Sequence, residues 1–145
     1  METVKKLHEQ VIFPWGAKIA GAGIANDHFT GTAWLQMLVP DDNSFHCPVG
    51  NVTFEPGARN NWHRHPGGQI LLVTSGKGYS QEEDRPVQVI RKGDVLRVLP
   101  GVKHWHGATP DSWMSHLAVM PNSDRGDAAW LEPVTDEEYQ AIPYS

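Results

Sequence analysis

Residues 57–76 read Gly57-Ala58-Arg59-Asn60-Asn61-Trp62-His63-Arg64-His65-Pro66-Gly67-Gly68-Gln69-Ile70-Leu71-Leu72-Val73-Thr74-Ser75-Gly76, and their spacing decides the fold. In an extended chain, residues two apart point to the same side, so His63 and His65 face one way. Pro66-Gly67-Gly68 is a turn signal, since proline pre-sets φ and glycine reaches the left-handed region. Gln69 then opens an apolar run, Ile70 to Val73, that is more apolar than strict alternation requires. Such a run suits a strand covered on both faces. Ser75-Gly76 predicts a second turn. The segment therefore reads as extended chain, turn and buried strand, with two imidazoles and an amide gathered at one end.

Outward from this segment the same grammar repeats. Strands are expected at Ala33–Val39, Cys47–Phe54, Gln69–Thr74, Lys77–Gln81, Val87–Arg91, Val95–Leu99, His104–Ala108 and Met114–Met120. Turn signals stand between them: Pro40-Asp41-Asp42-Asn43, Glu55-Pro56-Gly57, Lys92-Gly93-Asp94, Pro100-Gly101 and Thr109-Pro110-Asp111. Short strands with frequent turns predict an all-β antiparallel barrel. Thr135 followed by Glu138 fits a capping box, which predicts one short C-terminal helix ending near Ile142-Pro143. The expected organisation is one domain over 1–145: an arm or edge strand in 1–30, a barrel in 31–122 and a C-terminal segment with the helix in 123–145. A chain of 145 residues buries enough surface to hold together without disulfides.

Composition narrows the function classes. The formal net charge is −5 and the basic residues are scattered, which argues against a nucleic-acid partner. No run approaches the roughly 20 apolar residues of a membrane span, so no membrane partner is expected. Met1 to Gln10 lacks an apolar stretch, so no signal peptide is expected. The single cysteine, Cys47, suits a reducing compartment, and a cytoplasmic location is expected. Cys47 reads as a packed thiol.

The histidines carry the chemistry. His104-Trp105-His106 repeats the His-x-His alternation of His63 and His65, again beside a Pro-Gly turn. Two such pairs in β-type sequence point to a divalent metal, whereas surface histidines tend to stand alone. Neutral imidazoles suit manganese, iron, cobalt, nickel and zinc, and the Gln69 amide oxygen is a hard, neutral addition. His116 alternates with Met114, Ala118 and Met120, so it is expected to point inward, as are Gly50, Val52 and Phe54. His106 and His116 are candidate catalytic residues, each read either as a general base or as a structural hydrogen-bonder. His8, His28 and His46 read as surface residues. Trp62 and Trp105 alternate away from the ligands and are expected to pack between barrel and partner. Trp15 and Trp130 read as anchors of terminal segments.

Residues 57–76 follow Gly-x5-His-x-His-x3-Gln-x6-Gly, which resembles the first cupin motif with Gln69 where Glu is usual. Gly93-Asp94-Val95 through Pro100-Gly101-Val102-Lys103-His104 is similar to the second, with the proline one residue late and Ala108 in place of Asn. The resemblance implies a jelly-roll barrel (a double-stranded β-helix) and one divalent ion on His63, His65, Gln69 and His104. Further stretches resemble small bacterial cupins related to manganese-dependent hydroxynitrile lyases, a group also labelled carboxymuconolactone decarboxylase-associated cupins. They are Phe29–Thr32, Val52–Arg59, His104–Ala108, His116–Ala118 and Val134–Tyr139. This resemblance implies manganese, a small-molecule substrate, a homodimer or homotetramer, and proton transfer at His106. The turn Pro40–Phe45 and Met120 depart from that group, which opens the substrate. Carbon–carbon cleavage of a cyanohydrin is the first expectation. Isomerisation, decarboxylation or oxygen-dependent cleavage of a keto or sugar substrate is the second. A non-enzymatic ligand-binding or accessory role is the third.

Overall fold

A computed structural model describes residues 17–20 and 27–143 of the chain. Twelve strands lie among them: β1 (Ala17–Ala20), β2 (Phe29–Thr30), β3 (Ala33–Val39), β4 (Val49–Phe54), β5 (Arg59–Asn60), β6 (His63–Arg64), β7 (Gln69–Glu82), β8 (Gln88–Arg91), β9 (Val95–Val98), β10 (His104–Ala108), β11 (Met114–Val119) and β12 (Ala129–Trp130). One helix, α1 (Asp136–Gln140), follows. All pairings are antiparallel, as expected for strands joined by short turns.

Two sheets share β7. One runs β1-β3-β4-β11-β7-β9; in the other, β7 lies between β8 and β10, and β10 continues to β5 and β6. The first half of β7, from Gln69, pairs with β9 and β11, and the second half, from Lys77, pairs with β8 and β10. The sequence predicts a turn at Ser75-Gly76, but the strand runs through it. Against β11 the register steps from Ser75↔Ser115 to Val73↔His116, leaving Thr74 as the extra residue of a bulge. Gly76 sits at φ +77°, and a Cβ there would lie 1.7 Å from the Trp113 carbonyl oxygen. A bulge beside a glycine bends a strand and passes it from one sheet to the next. The two expected strands are therefore one bent strand of 14 residues.

Other expected strands begin or end within two residues of those observed. Strand β4 starts at Val49, because Pro48 has no N–H to donate. The two-residue strands β2, β5, β6 and β12 are too short to show alternation and were not expected. Residues 1–16 and 21–26 of the expected arm lie outside the described residues; β1 is an edge strand on β3.

Apolar burial divides into two clusters. The first, between the sheets, contains Ala33, Val52, Phe54, Val73, Ile90 and Met114. The second, outside β10, contains Trp62, Tyr79, Trp105, Val134 and Tyr139. Trp62 and Trp105 thus pack beneath the chain's own C-terminal segment, which corrects the expectation that a partner covers them. The capping box forms as expected: the Thr135 hydroxyl accepts from the Glu138 N–H at 3.1 Å, and Glu138 accepts from the Thr135 N–H at 3.2 Å. The helix is tied down by Arg59, which donates to the Val134 carbonyl at 2.8 Å and pairs with Asp136 at 2.7 Å. Tyr139 completes the attachment by donating to the Ala108 carbonyl at 2.6 Å.

Candidate metal centre

Strands β6 and β10 bring His63 opposite His104 in register. Their rings stand 4.2 Å apart, centroid to centroid. Each ring donates its Nδ1–H to the carbonyl two residues earlier: His63 to Asn61 at 2.8 Å and His104 to Val102 at 3.0 Å. This fixes the tautomer and turns each Nε2 lone pair into the barrel, as backbone carbonyls do for metal-binding histidines.

Gln69 opens β7, and its Oε1 lies 3.0 Å from His104 Nε2. With the His104 Nδ1–H given to the Val102 carbonyl, its Nε2 is left as a lone pair, and the Gln69 side-chain amide sits directly against it. Both side chains would be available as donors to a cation. His65, after β6, has its ring 5.0 Å from that of His63, and its buried Nε2 finds no hydrogen-bond partner. A buried polar atom without a partner is costly. The lone pairs left on these side chains suit a divalent ion, although the three histidine nitrogens that lie within 4.8 Å of one another belong to His63, His104 and His106, with the His65 ring 5.8 Å from that of His104.

His106 follows on the same face of β10, with its ring 5.7 Å from that of His104. One nitrogen from each of His63, His104 and His106 lies within 4.8 Å of the others, so His106 belongs to the same cluster. His116 enters from β11 with Nε2 at 3.1 Å from His106 Nδ1. Its own Nδ1 is buried without a partner. Phe54 meets the His106 ring edge-on at 5.9 Å, limiting its rotation.

Burial dominates the titration of this cluster, because low dielectric disfavours the imidazolium. His65 and His116 are pushed down to about 4. His63 and His106 fall well below the ordinary value of 6.5; the neighbouring His104 adds to burial for His63, and His116 adds to it for His106. His104 is lowered too, again by burial. All five are neutral at neutral pH, so their lone pairs are free for an ion or a proton.

The sequence reading missed two residues of the site. Asn60 accepts from the His106 backbone N–H at 2.9 Å, while its amide nitrogen lies 3.2 Å and 3.4 Å from the two His106 ring nitrogens. Near-equal distances set that amide against the ring as a whole. Trp130 stacks on His63 at 4.6 Å, and His28 stacks on Trp130 at 4.5 Å. Trp130 is therefore a wall of the site, not merely an anchor of the tail. No local signal announces it, since it reaches His63 only through the pairing of β12 with β6. Above the histidines lies a cavity of about 250 Å³, walled by Phe29, Leu35, Val52, Phe54, Met120 and Trp130 among others. The inward positions expected for Val52, Phe54 and His116 are observed there.

Two sheets closing around a buried histidine cluster define a small β-barrel with a candidate metal centre at one end. Comparison with known proteins agrees on the fold. Residues 50–120 match the family described as the cupin domain. An (R)-mandelonitrile lyase from Granulicella tundricola is 46% identical over 125 residues, covering 86% of this chain and 95% of the relative. Among solved structures, a cupin-like protein from Thermotoga maritima msb8 shares 49% identity with a TM-score of 0.79, over 84% of this chain and 92% of that one. A cupin 2 conserved barrel domain protein from Rhodopseudomonas palustris, at 17% identity and TM-score 0.66, covers 84% of this chain and 79% of its own, and shares the fold. The chain belongs to the cupin family, as a small single-domain member.

Proposed function

We propose that this cupin is a manganese-dependent lyase that cleaves a carbon–carbon bond in a cyanohydrin or a closely related α-hydroxy compound. The observation that carries the reading is the pairing of an apolar cavity with a buried, neutral His106–His116 contact at its floor, in a chain 46% identical to an (R)-mandelonitrile lyase. His63, His65, Gln69 and His104 would hold a divalent ion, which would supply Lewis-acid polarisation of a substrate oxygen.

The chain's own residues supply the rest. The aromatic and aliphatic walls hold the organic group and exclude water. His106, neutral and desolvated, accepts the substrate hydroxyl proton. The electron pair of the breaking carbon–carbon bond leaves with the cyanide carbon, and the hydroxyl carbon becomes a carbonyl. The proton on His106 then passes to cyanide, so hydrogen cyanide and an aldehyde leave. General-base assistance of this type contributes about 10²–10⁴-fold. His116 and Asn60 hold the His106 ring through its Nδ1 and its backbone N–H. An apolar cavity wall disfavours a sugar acid, which needs several polar partners. The same reading includes a homodimer or homotetramer, which light scattering tests, and a cytoplasmic location.

The direct test is benzaldehyde release from mandelonitrile by manganese-reconstituted protein, with His63→Ala as the blank. Release well above the blank supports the lyase. No release from protein whose manganese content is confirmed sinks it.

A further inference from the structure

The histidine cluster has a second cavity beside it. Its volume is about 140 Å³, and it lies among the loops around Asp41, Pro48, Pro66–Gly68 and Pro121–Ala128. His65 and Met120 line both this cavity and the apolar one, so together they form the partition between them. Among the cluster's candidate donors, His63, Gln69, His104 and His106 are buried to within 4% of full exclusion from solvent, whereas His65 is only partly buried. His65 is thus the side of the cluster nearest to solvent, and its buried Nε2 has no hydrogen-bond partner.

The two mouths differ in chemistry. The larger is walled by Ile19, Phe29, Leu35, Met37 and Trp130, with no formally charged residue among the described residues that line it. The smaller has Asp41 and Asp127 in its lining, and among the described residues there no Lys or Arg opposes them. Both aspartates are exposed, and Asp41 is oriented by a hydrogen bond from the Ser123 hydroxyl at 2.5 Å. A cation crossing an apolar mouth sheds water with nothing to replace it, which is costly. A mouth lined by carboxylates raises the local cation concentration instead. The smaller cavity has room for several waters, so an ion can enter it partly hydrated.

One wall of that cavity is rigid. A Cβ at Gly67 would lie 2.2 Å from the Pro121 carbonyl oxygen, so the turn before β7 is pressed against the loop after β11. Met120, unbranched and with three rotatable bonds, is the adaptable part of the partition.

We propose that the cavity around Asp41 and Asp127 is the loading port of the metal centre, through which a divalent cation passes the His65–Met120 partition, while the apolar mouth is kept for the organic substrate. The proposal rests on the metal reading of the cluster and is independent of the substrate. Asp41 and Asp127 act on the rate of arrival and release, not on the equilibrium geometry of the site.

The test follows metal arrival in chelator-stripped protein mixed with Mn²⁺. The readout is stopped-flow tryptophan fluorescence, because Trp130 stacks on His63 and a paramagnetic ion there quenches it. Final occupancy is measured by elemental analysis. The double variant Asp41→Asn/Asp127→Asn is expected to slow association about three- to tenfold and to flatten its dependence on ionic strength, with unchanged occupancy at saturation. Ala128→Phe, which fills the port without touching charge, is expected to slow association and release together. Wild-type association rates in both variants would overturn the port while leaving the metal centre intact. If the unsubstituted chain binds no Mn²⁺, the metal reading fails, and the port falls with it.

Discussion

Strand β10 buries all five of its residues, yet its two faces do opposite things. Toward the barrel, His104 and His106 look onto Gln69 Oε1 at 3.0 Å and His116 Nε2 at 3.1 Å, and two buried nitrogens nearby, His65 Nε2 and His116 Nδ1, have no hydrogen-bond partner. Away from the barrel, Trp105 packs on Tyr79 and Tyr139, and its Nε1–H donates to Gln81 at 2.9 Å. There Tyr139 and Arg59 also have partners. A buried group whose polar atoms are all satisfied holds a fold together. A buried cluster with unpartnered nitrogens is arranged for something that arrives later. The inner face is tuned for chemistry and the outer face for stability, so substitutions on the two faces should separate these properties.

The largest expected effect is on the inner face. His63→Ala removes a donor whose tautomer is already set, so metal affinity is expected to fall by more than about 100-fold, beyond the 10–100-fold typical of second-sphere partners. Calorimetric titration of stripped protein measures this, and unchanged affinity would break the comparison. His106→Ala is expected to lower turnover about 10²–10⁴-fold while metal content holds. Loss of metal in that variant would instead make His106 a ligand, consistent with its nitrogen lying within 4.8 Å of those of His63 and His104.

On the outer face the signs reverse. Trp105→Ala opens a void in the cluster beneath α1 and is expected to cost about 3–5 kcal/mol in urea unfolding. Metal affinity of the remaining folded protein is expected to stay within a few-fold of wild type. Acid sharpens the contrast from the inner side. His65 and His116 stay neutral in the fold down to about 4 but take up protons near 6.5 when unfolded. The unfolded state then binds more protons between those values, so stability of the metal-free protein is full above about pH 6.5 and falls steadily toward pH 4. His116→Gln should flatten that slope in chemical denaturation at a series of pH values. The smallest effect belongs to the helix cap: Thr135→Ala is expected to cost about 1 kcal/mol, read as a shift in the urea midpoint, with turnover unchanged.

Much of this architecture was legible without coordinates. The all-β reading followed from turn signals, and most expected strands lie within two residues of those observed. The capping box at Thr135 was readable because it spans only three residues. The bend in β7 looks like a turn in sequence, since a glycine at positive φ serves a bulge as well as a hairpin and only the pairing with β11 distinguishes them. Asn60 and Trp130 went unrecognised because their two-residue strands carry no period. The cover over Trp105 is not readable locally, because nothing near it in sequence says that the C-terminal segment folds back over it.

What the sequence determined by itself was whatever covalent geometry enforces over a few residues. It set the side on which His63 and His65, or His104 and His106, lie together, the turn that follows His65, and the start of α1. The tertiary structure alone decided which of these faces meet. Register between β6 and β10 sets His63 on His104, and the pairing of both β11 and β10 with the bent strand β7 brings His116 to His106. Closure of the two sheets leaves one apolar and one acidic approach to the same cluster. Side-chain direction depends on the residue's own backbone, but a site depends on strands far apart in sequence arriving in a single register.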